Sequence, residues 1–157
     1  MSNLEKIPVT ILTGFLGAGK TTLIRNLIIK NKSKRLAVII NEFGDLGVDG
    51  EIVKQCSDET CPEENILELA NGCICCTVAD DFVPTMQKLI NGKYLPEQIL
   101  IETSGLALPK PLLKAFEWPE IRSKLTVDSV LAVVDAEAVV NGVFAPQMSI
   151  ETEKKKK

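Results

Sequence analysis

The stretch Ile7-Pro8-Val9-Thr10-Ile11-Leu12-Thr13-Gly14-Phe15-Leu16-Gly17-Ala18-Gly19-Lys20-Thr21-Thr22 decides the fold. Its first seven residues are apolar or β-branched and stop at Gly14, so they read as a buried strand with Pro8 at its edge. Gly14 to Thr21 then matches G-x-x-x-x-G-K-[ST]. From Lys20 to Asn31 the apolar residues Leu23, Ile24, Leu27 and Ile28 form one stripe, which predicts a helix packed on a sheet. Strand, glycine loop and helix in that order are the context the motif requires.

The chemistry of that loop follows from its residue types. Glycines let the backbone curl and aim N–H groups at an anion, and the helix N-terminus adds its dipole. Lys20 neutralises β- and γ-phosphates, and the Thr21 hydroxyl ligates Mg²⁺. The candidate nucleotide-binding residues are Gly14, Phe15, Leu16, Gly17, Ala18, Gly19, Lys20, Thr21 and Thr22. The competing reading is a glycine-rich turn that holds nothing. Gly14, Gly17 and Gly19 do not fit the G-x-G-x-x-G spacing of dinucleotide-binding folds.

Outward from the loop, strands and helices alternate. Leu36 to Ile40 is a continuous apolar run, as expected of a parallel strand covered on both faces. A long loop containing Gly44, Gly47 and Gly50 follows. Ile66 to Ala70 reads as a strand, Ala79 to Ile90 as a helix, Ile99 to Ile101 as a buried strand, Leu112 to Phe116 as a short helix and Val127 to Val134 as a last strand; Ala136 to Asn141 opens a helix. This order predicts an α/β P-loop fold, a mostly parallel sheet with helices on both faces and right-handed crossovers. The 157 residues suit one domain, expected over residues 1–148, with a disordered Lys-rich tail over 149–157.

Composition narrows the function. With 45% hydrophobic and 25% charged residues the chain is not disordered as a whole, and its 4% aromatic content leaves the core to Ile, Leu, Val and Ala. No apolar run approaches the roughly 18 residues of a membrane span, and the N-terminus lacks the pattern of a secretory signal, so a cytoplasmic protein with no membrane partner is expected. The net charge of −3 argues against a nucleic-acid partner. Residues 41–81 carry eleven acids against one base, Lys54, which suits cations or simply a solvated face. The five cysteines, an odd number without an export signal, are not a disulfide framework. The absence of histidine removes His-based triads and His metal sites, so any transition-metal site made by this chain must use thiolates and carboxylates.

Two further motifs carry chemistry. Gln98-Ile99-Leu100-Ile101-Glu102-Thr103-Ser104-Gly105 ends a buried strand with an acid suited to Mg²⁺, and the Gly105 N–H can meet a γ-phosphate. The alternative is an acid that merely closes a strand. Cys73-Ile74-Cys75-Cys76 places three thiols within four residues, enough for one soft or borderline cation with a fourth position left to another donor or open for transfer. Ordinary buried cysteines are the alternative there, and for Cys56 and Cys61 plain loop thiols are the favoured reading.

Together, Gly14 to Thr22, Asn41-Glu42-Phe43-Gly44, Asn71-Gly72-Cys73-Ile74-Cys75-Cys76 and Glu102-Thr103-Ser104-Gly105-Leu106-Ala107-Leu108-Pro109 resemble the CobW-type branch of the CobW/HypB/UreG metallochaperone GTPases, over roughly residues 7 to 146. The resemblance implies MgGTP at the glycine loop, slow GTP hydrolysis and a divalent metal at the cysteines. It implies Co²⁺, with Zn²⁺ the alternative, handed to a recipient metal enzyme such as a cobalt chelatase in cobalamin biosynthesis, and a nucleotide-dependent dimer. Carried over by position, the catalytic candidates are Lys20, Glu102 and Asp49, and the metal candidates are Cys73, Cys75 and Cys76 for the cargo with Thr21, Glu42 and Glu102 for Mg²⁺. Asp45 and Asp49 are weaker candidates, for Mg²⁺ or for positioning the attacking water. No Asn/Ser-Lys-x-Asp guanine motif follows Asp135, so the chain is expected to be the N-terminal portion of a longer protein. Two rivals stand beside this reading: a passive Zn²⁺/Co²⁺-binding module with a non-cycling P-loop, and a small P-loop kinase.

Overall fold

The computed structural model describes residues 6–31, 33–40, 48–69, 82–103 and 110–142, with 48–50 described in backbone only. In chain order the elements are β1 (Ile7–Thr13), α1 (Lys20–Lys30), β2 (Leu36–Ile40), α2 (Val48–Lys54), a 3₁₀ turn (Glu63–Asn65), β3 (Ile66–Glu68), α3 (Val83–Ile90), β4 (Gln98–Glu102), α4 (Lys110–Ala115), α5 (Pro119–Arg122), β5 (Leu125–Ala132) and α6 (Ala136–Val140). The five strands form one sheet in the order β3-β2-β4-β1-β5. All four pairings are parallel. The expected α/β architecture is therefore the observed one.

Alternation along the strands sends side chains to two cores. Val9, Ile11, Ala37, Ile39, Ile99 and Ile101 meet Phe82, Met86 and Leu89 of the α3 region and Leu112 and Ala115 of α4. The rings of Phe82 and Phe116 meet edge-to-face at 5.2 Å, the arrangement aromatic quadrupoles favour. On the opposite face Leu12, Val38, Ile40 and Leu100 pack under Ile24 and Ile28 of α1 and Val53 of α2. Each fully buried aliphatic side chain contributes about 1.5–3 kcal/mol, so these two layers hold the sheet in register.

The structure corrects parts of the expected element list. The loop after β2 contains α2, whose start is hidden in the sequence by Asp49 and Gly50, both weak helix formers; Val53, fully buried, gives that turn a tertiary reason to form. The helical turn α5 was not expected at all; Pro119 opens it and Ile121 anchors it in the core. Strand β5 lies two residues earlier than the apolar run suggests, and β3 closes at Glu68. Ala70, residues 79–81 of the expected helix and the 149–157 tail lie outside the described residues.

Candidate nucleotide site

The glycine loop runs from the end of β1 into α1, at the carboxyl end of the parallel sheet. Gly14, Gly17 and Gly19 all take positive φ, at 146°, 79° and 96°. For Gly14 the requirement is also one of space, since a Cβ there would sit 2.2 Å from the Val133 carbonyl oxygen. The loop's rear wall is thus the backbone just beyond β5, which the Val133 N–H ties to Thr13 O at 2.7 Å. Inside the loop the Ala18 N–H donates to Phe15 O at 3.1 Å. Helix α1 begins at Gly19 with no side-chain cap and no acid in its first turn. Its dipole and free N–H groups are left to an external anion.

Lys20 is only 7% exposed, and its Nζ donates to Phe15 O at 3.2 Å. It also lies 3.8 Å from Glu102 Oε1 at the end of β4. Thr21 Oγ1 stands 3.4 and 3.5 Å from the two oxygens of that same carboxylate. Glu102 is itself 6% exposed. A cation and a hydroxyl from the start of α1 and a carboxylate from the end of β4 thus meet in one largely buried cluster. Hydroxyl and carboxylate oxygens are a hard donor set of the kind Mg²⁺ takes, and the ammonium is suited to phosphate oxygens.

Thr103, which no motif chemistry singles out, ties the end of β4 to β1. It is 1% exposed, and both its N–H and its hydroxyl donate to Leu12 O, at 2.8 and 3.2 Å. These two hydrogen bonds to β1 fix where β4 ends and so position Glu102. The Val133 backbone is a second such element. Val133 acts through its backbone and so carries no residue-type signal; Thr103 acts through its N–H and its hydroxyl, and a Thr after a strand-ending acid does not by itself announce that contact.

Of the remaining candidates, Phe15 and Leu16 are exposed on the loop, Leu16 at 84%, and Thr22 is exposed on the first turn of α1. The backbone of Asp49 lies in the first turn of α2. Glu42, Asp45, Cys73, Cys75, Cys76 and Gly105 lie outside the described residues. Among the described residues no group of three or more Cys, Asp and Glu is placed to hold a metal.

Cys61 and Cys56 are accounted for. Cys61 is fully buried in the α1-side core, and desolvation, with the Asp58 charge beside it, pushes its thiol up to about 12. It packs as a small apolar residue, in its protonated form. Cys56 Sγ donates to Ile52 O at 3.6 Å. Among the described residues no helix is long and apolar enough to cross a membrane.

Comparison with known proteins shows the family. Residues 8–157 match the family model "CobW/HypB/UreG, nucleotide-binding domain". The chain is 62% identical over 144 residues to the zinc chaperone CobW of Sinorhizobium sp, covering 92% of this chain and 41% of the relative. It is 59% identical over 148 residues to the zinc chaperone CobW of Pseudomonas aeruginosa, covering 92% and 40%. Zinc-regulated GTPase metalloprotein activator 1 of Schizosaccharomyces pombe is 40% identical over 143 residues, covering 89% and 34%. A solved structure of a Zn(II)-bound triple mutant of the YjiA GTPase is similar with a TM-score of 0.59 at 28% identity, covering 87% of this chain and 43% of that one. The chain thus spans about two fifths of the length of the first two relatives, matching their N-terminal part.

Proposed function

The chain belongs to the CobW/HypB/UreG nucleotide-binding family, and from that premise we propose that it is the nucleotide-binding part of a GTP-dependent metallochaperone. The observation that carries this reading is the meeting of Lys20, Thr21 and Glu102 beneath an uncapped helix N-terminus. In this reading GTP sits on Gly14 to Thr22, with Lys20 on its terminal phosphates. Thr21 and Glu102 hold Mg²⁺, which when bound offsets phosphate charge and supplies a Lewis acid. Lys20 is already desolvated, so an arriving anion meets a cation with little water to displace. Glu102, fixed by Thr103, links the metal end of the site to the 104–109 segment that follows β4, the route by which nucleotide state would reach the rest of the molecule. Gly105 and Glu42 complete the nucleotide-responsive contacts, and Asp49 is the candidate for positioning the attacking water.

The cargo is proposed to bind Cys73, Cys75 and Cys76 as thiolates. Zn²⁺ is the ion we assign, because the most similar relatives named above are called zinc chaperones and thiolate sites hold Zn²⁺ at least as well as Co²⁺. This moves the assignment away from the Co²⁺ and cobalamin pathway that the resemblance implied. The recipient is proposed to be a metal-dependent enzyme.

Titration calorimetry of GTP and of ATP onto the chain, with and without Mg²⁺, tests the nucleotide half. GTP binding that needs Mg²⁺ and disappears in Lys20→Ala is expected; equal binding by Lys20→Ala would overturn it. Zn²⁺ and Co²⁺ competition against a chromophoric chelator tests the cargo half. A site lost in Cys75→Ala and tighter for Zn²⁺ is expected. Metal binding that ignores nucleotide throughout would instead favour the passive module.

A further inference from the structure

Lys20 and Glu102 face each other inside the cluster that the functional reading assigns to phosphate and Mg²⁺. The ammonium stands 3.8 Å from Glu102 Oε1, and the two side chains are 7% and 8% exposed. Charges so far removed from water are little screened, so each partner is felt strongly by any third ion brought beside the pair. Lys20 is also held from its other side, since its Nζ donates to Phe15 O at 3.2 Å. That carbonyl orients the ammonium and leaves its charge intact. The first turn of α1 adds no acid to offset it.

A divalent cation approaching Thr21 Oγ1 and the Glu102 carboxylate therefore meets this ammonium. The hydroxyl lies 3.4 and 3.5 Å from the two carboxylate oxygens, so the oxygens a metal would take belong to the group that Lys20 already neutralises. A neutral hydroxyl and a charge-balanced pair make a poor site for a bare dication, because hard cations are held by uncompensated oxygen charge. Phosphate oxygens reverse the balance. They attract the ammonium and leave the carboxylate charge to a metal.

We propose that Lys20 has a second role as a metal-exclusion residue: its ammonium keeps divalent cations off Glu102 and Thr21 until phosphate draws it away. The role matters in a chain that also carries Cys73, Cys75 and Cys76, because Zn²⁺ accepts carboxylate oxygen as well as thiolate sulfur. A Glu102 carboxylate without Lys20 beside it would compete with the thiols for the same ion. The inference rests on the reading of Thr21 and Glu102 as metal donors, and it gives Lys20 a task that phosphate binding alone does not require.

Electron paramagnetic resonance of Mn²⁺ titrated onto this chain, with no nucleotide in the sample, tests it; Mn²⁺ is a hard ion that prefers oxygen to sulfur. Lys20→Met should bind Mn²⁺ at least about tenfold more tightly than the unaltered chain. Combining Lys20→Met with Glu102→Gln should abolish that gain, and Lys20→Arg, which keeps the charge, should not show it. A gain of affinity is not what a damaged fold yields, and Lys20→Gln repeats the measurement should the methionine variant fail to fold. Equal Mn²⁺ affinity in the unaltered chain and the neutral variants would overturn the proposal. So would a gain that persists without the Glu102 carboxylate, or one shown equally by Lys20→Arg. Because the sample holds no nucleotide, failure here leaves MgGTP binding standing, and failure of the GTP titrations leaves this measurement readable.

Discussion

Thr21 Oγ1 stands 3.4 Å from Glu102 Oε1 although 81 residues separate them in the chain. The contact follows from topology. Strand β4 lies directly beside β1, with Leu12 registered to Glu102, so the acid that ends β4 faces the first turn of the helix that β1 feeds. Lys20, one residue earlier, shares the same carboxylate at 3.8 Å with both side chains over nine-tenths buried.

Removing one member of that buried pair should be costly. Glu102→Ala leaves the Lys20 charge uncompensated, and a loss of about 3 kcal/mol is expected in urea unfolding. Lys20→Met combined with Glu102→Leu should lose clearly less than the sum of the two single changes. Additive losses would show that the two groups do not depend on each other.

Gly14 and Gly17 should differ although both take positive φ. Gly17→Ala meets open space and carries only backbone strain, about 1–2 kcal/mol. Gly14→Ala drives a methyl group into the Val133 carbonyl and must displace β5 or the loop as well. Its unfolding midpoint should fall well below that of Gly17→Ala; matching midpoints would contradict the close contact.

Cys61 makes stability fall in alkali. Its folded-state pKa, about 12, lies above the ordinary thiol value of 9.0, so the folded state keeps a proton the unfolded chain releases. The associated stability is complete below about pH 9 and is lost as pH rises toward 12. Unfolding free energy measured from pH 8 to 11 should decline, and Cys61→Ala should flatten that decline. In peptide-mapped alkylation at pH 8 under native conditions, Cys56 should label well before Cys61.

Thr103→Val keeps shape while removing the hydroxyl bond to Leu12, and the backbone N–H bond remains. A stability loss of about 1 kcal/mol is expected, together with weaker Mg²⁺-dependent GTP binding in calorimetry. An unchanged Mg²⁺ requirement would remove Thr103 from the positioning of Glu102.

Much of the fold was legible because parallel strands buried on both faces are continuous apolar runs, as at Leu36 to Ile40, and because the glycine loop has a fixed spacing. Lys20, Thr21 and Glu102 could be singled out as candidates for the same reason: they belong to short motifs whose chemistry depends on residue type. Helix α2 was not, since Asp49 and Gly50 disfavour a helix locally and burial of Val53 is a long-range effect. The roles of Cys56 and Cys61 were equally open, because a cysteine in a sequence reads the same whether it packs or binds.

What the amino-acid order determined alone was local: where strands and helices alternate, where the backbone must turn through glycine, and which side chains can meet a phosphate or a metal. Only the tertiary structure decided which of these meet. It brought Glu102 to Thr21, sealed Cys61 in apolar packing, set Val133 against Gly14 and put β5 at the edge of the described sheet. These are consequences of strand order and register, which arise from burying two faces of one sheet at once, and no residue carries that information by itself.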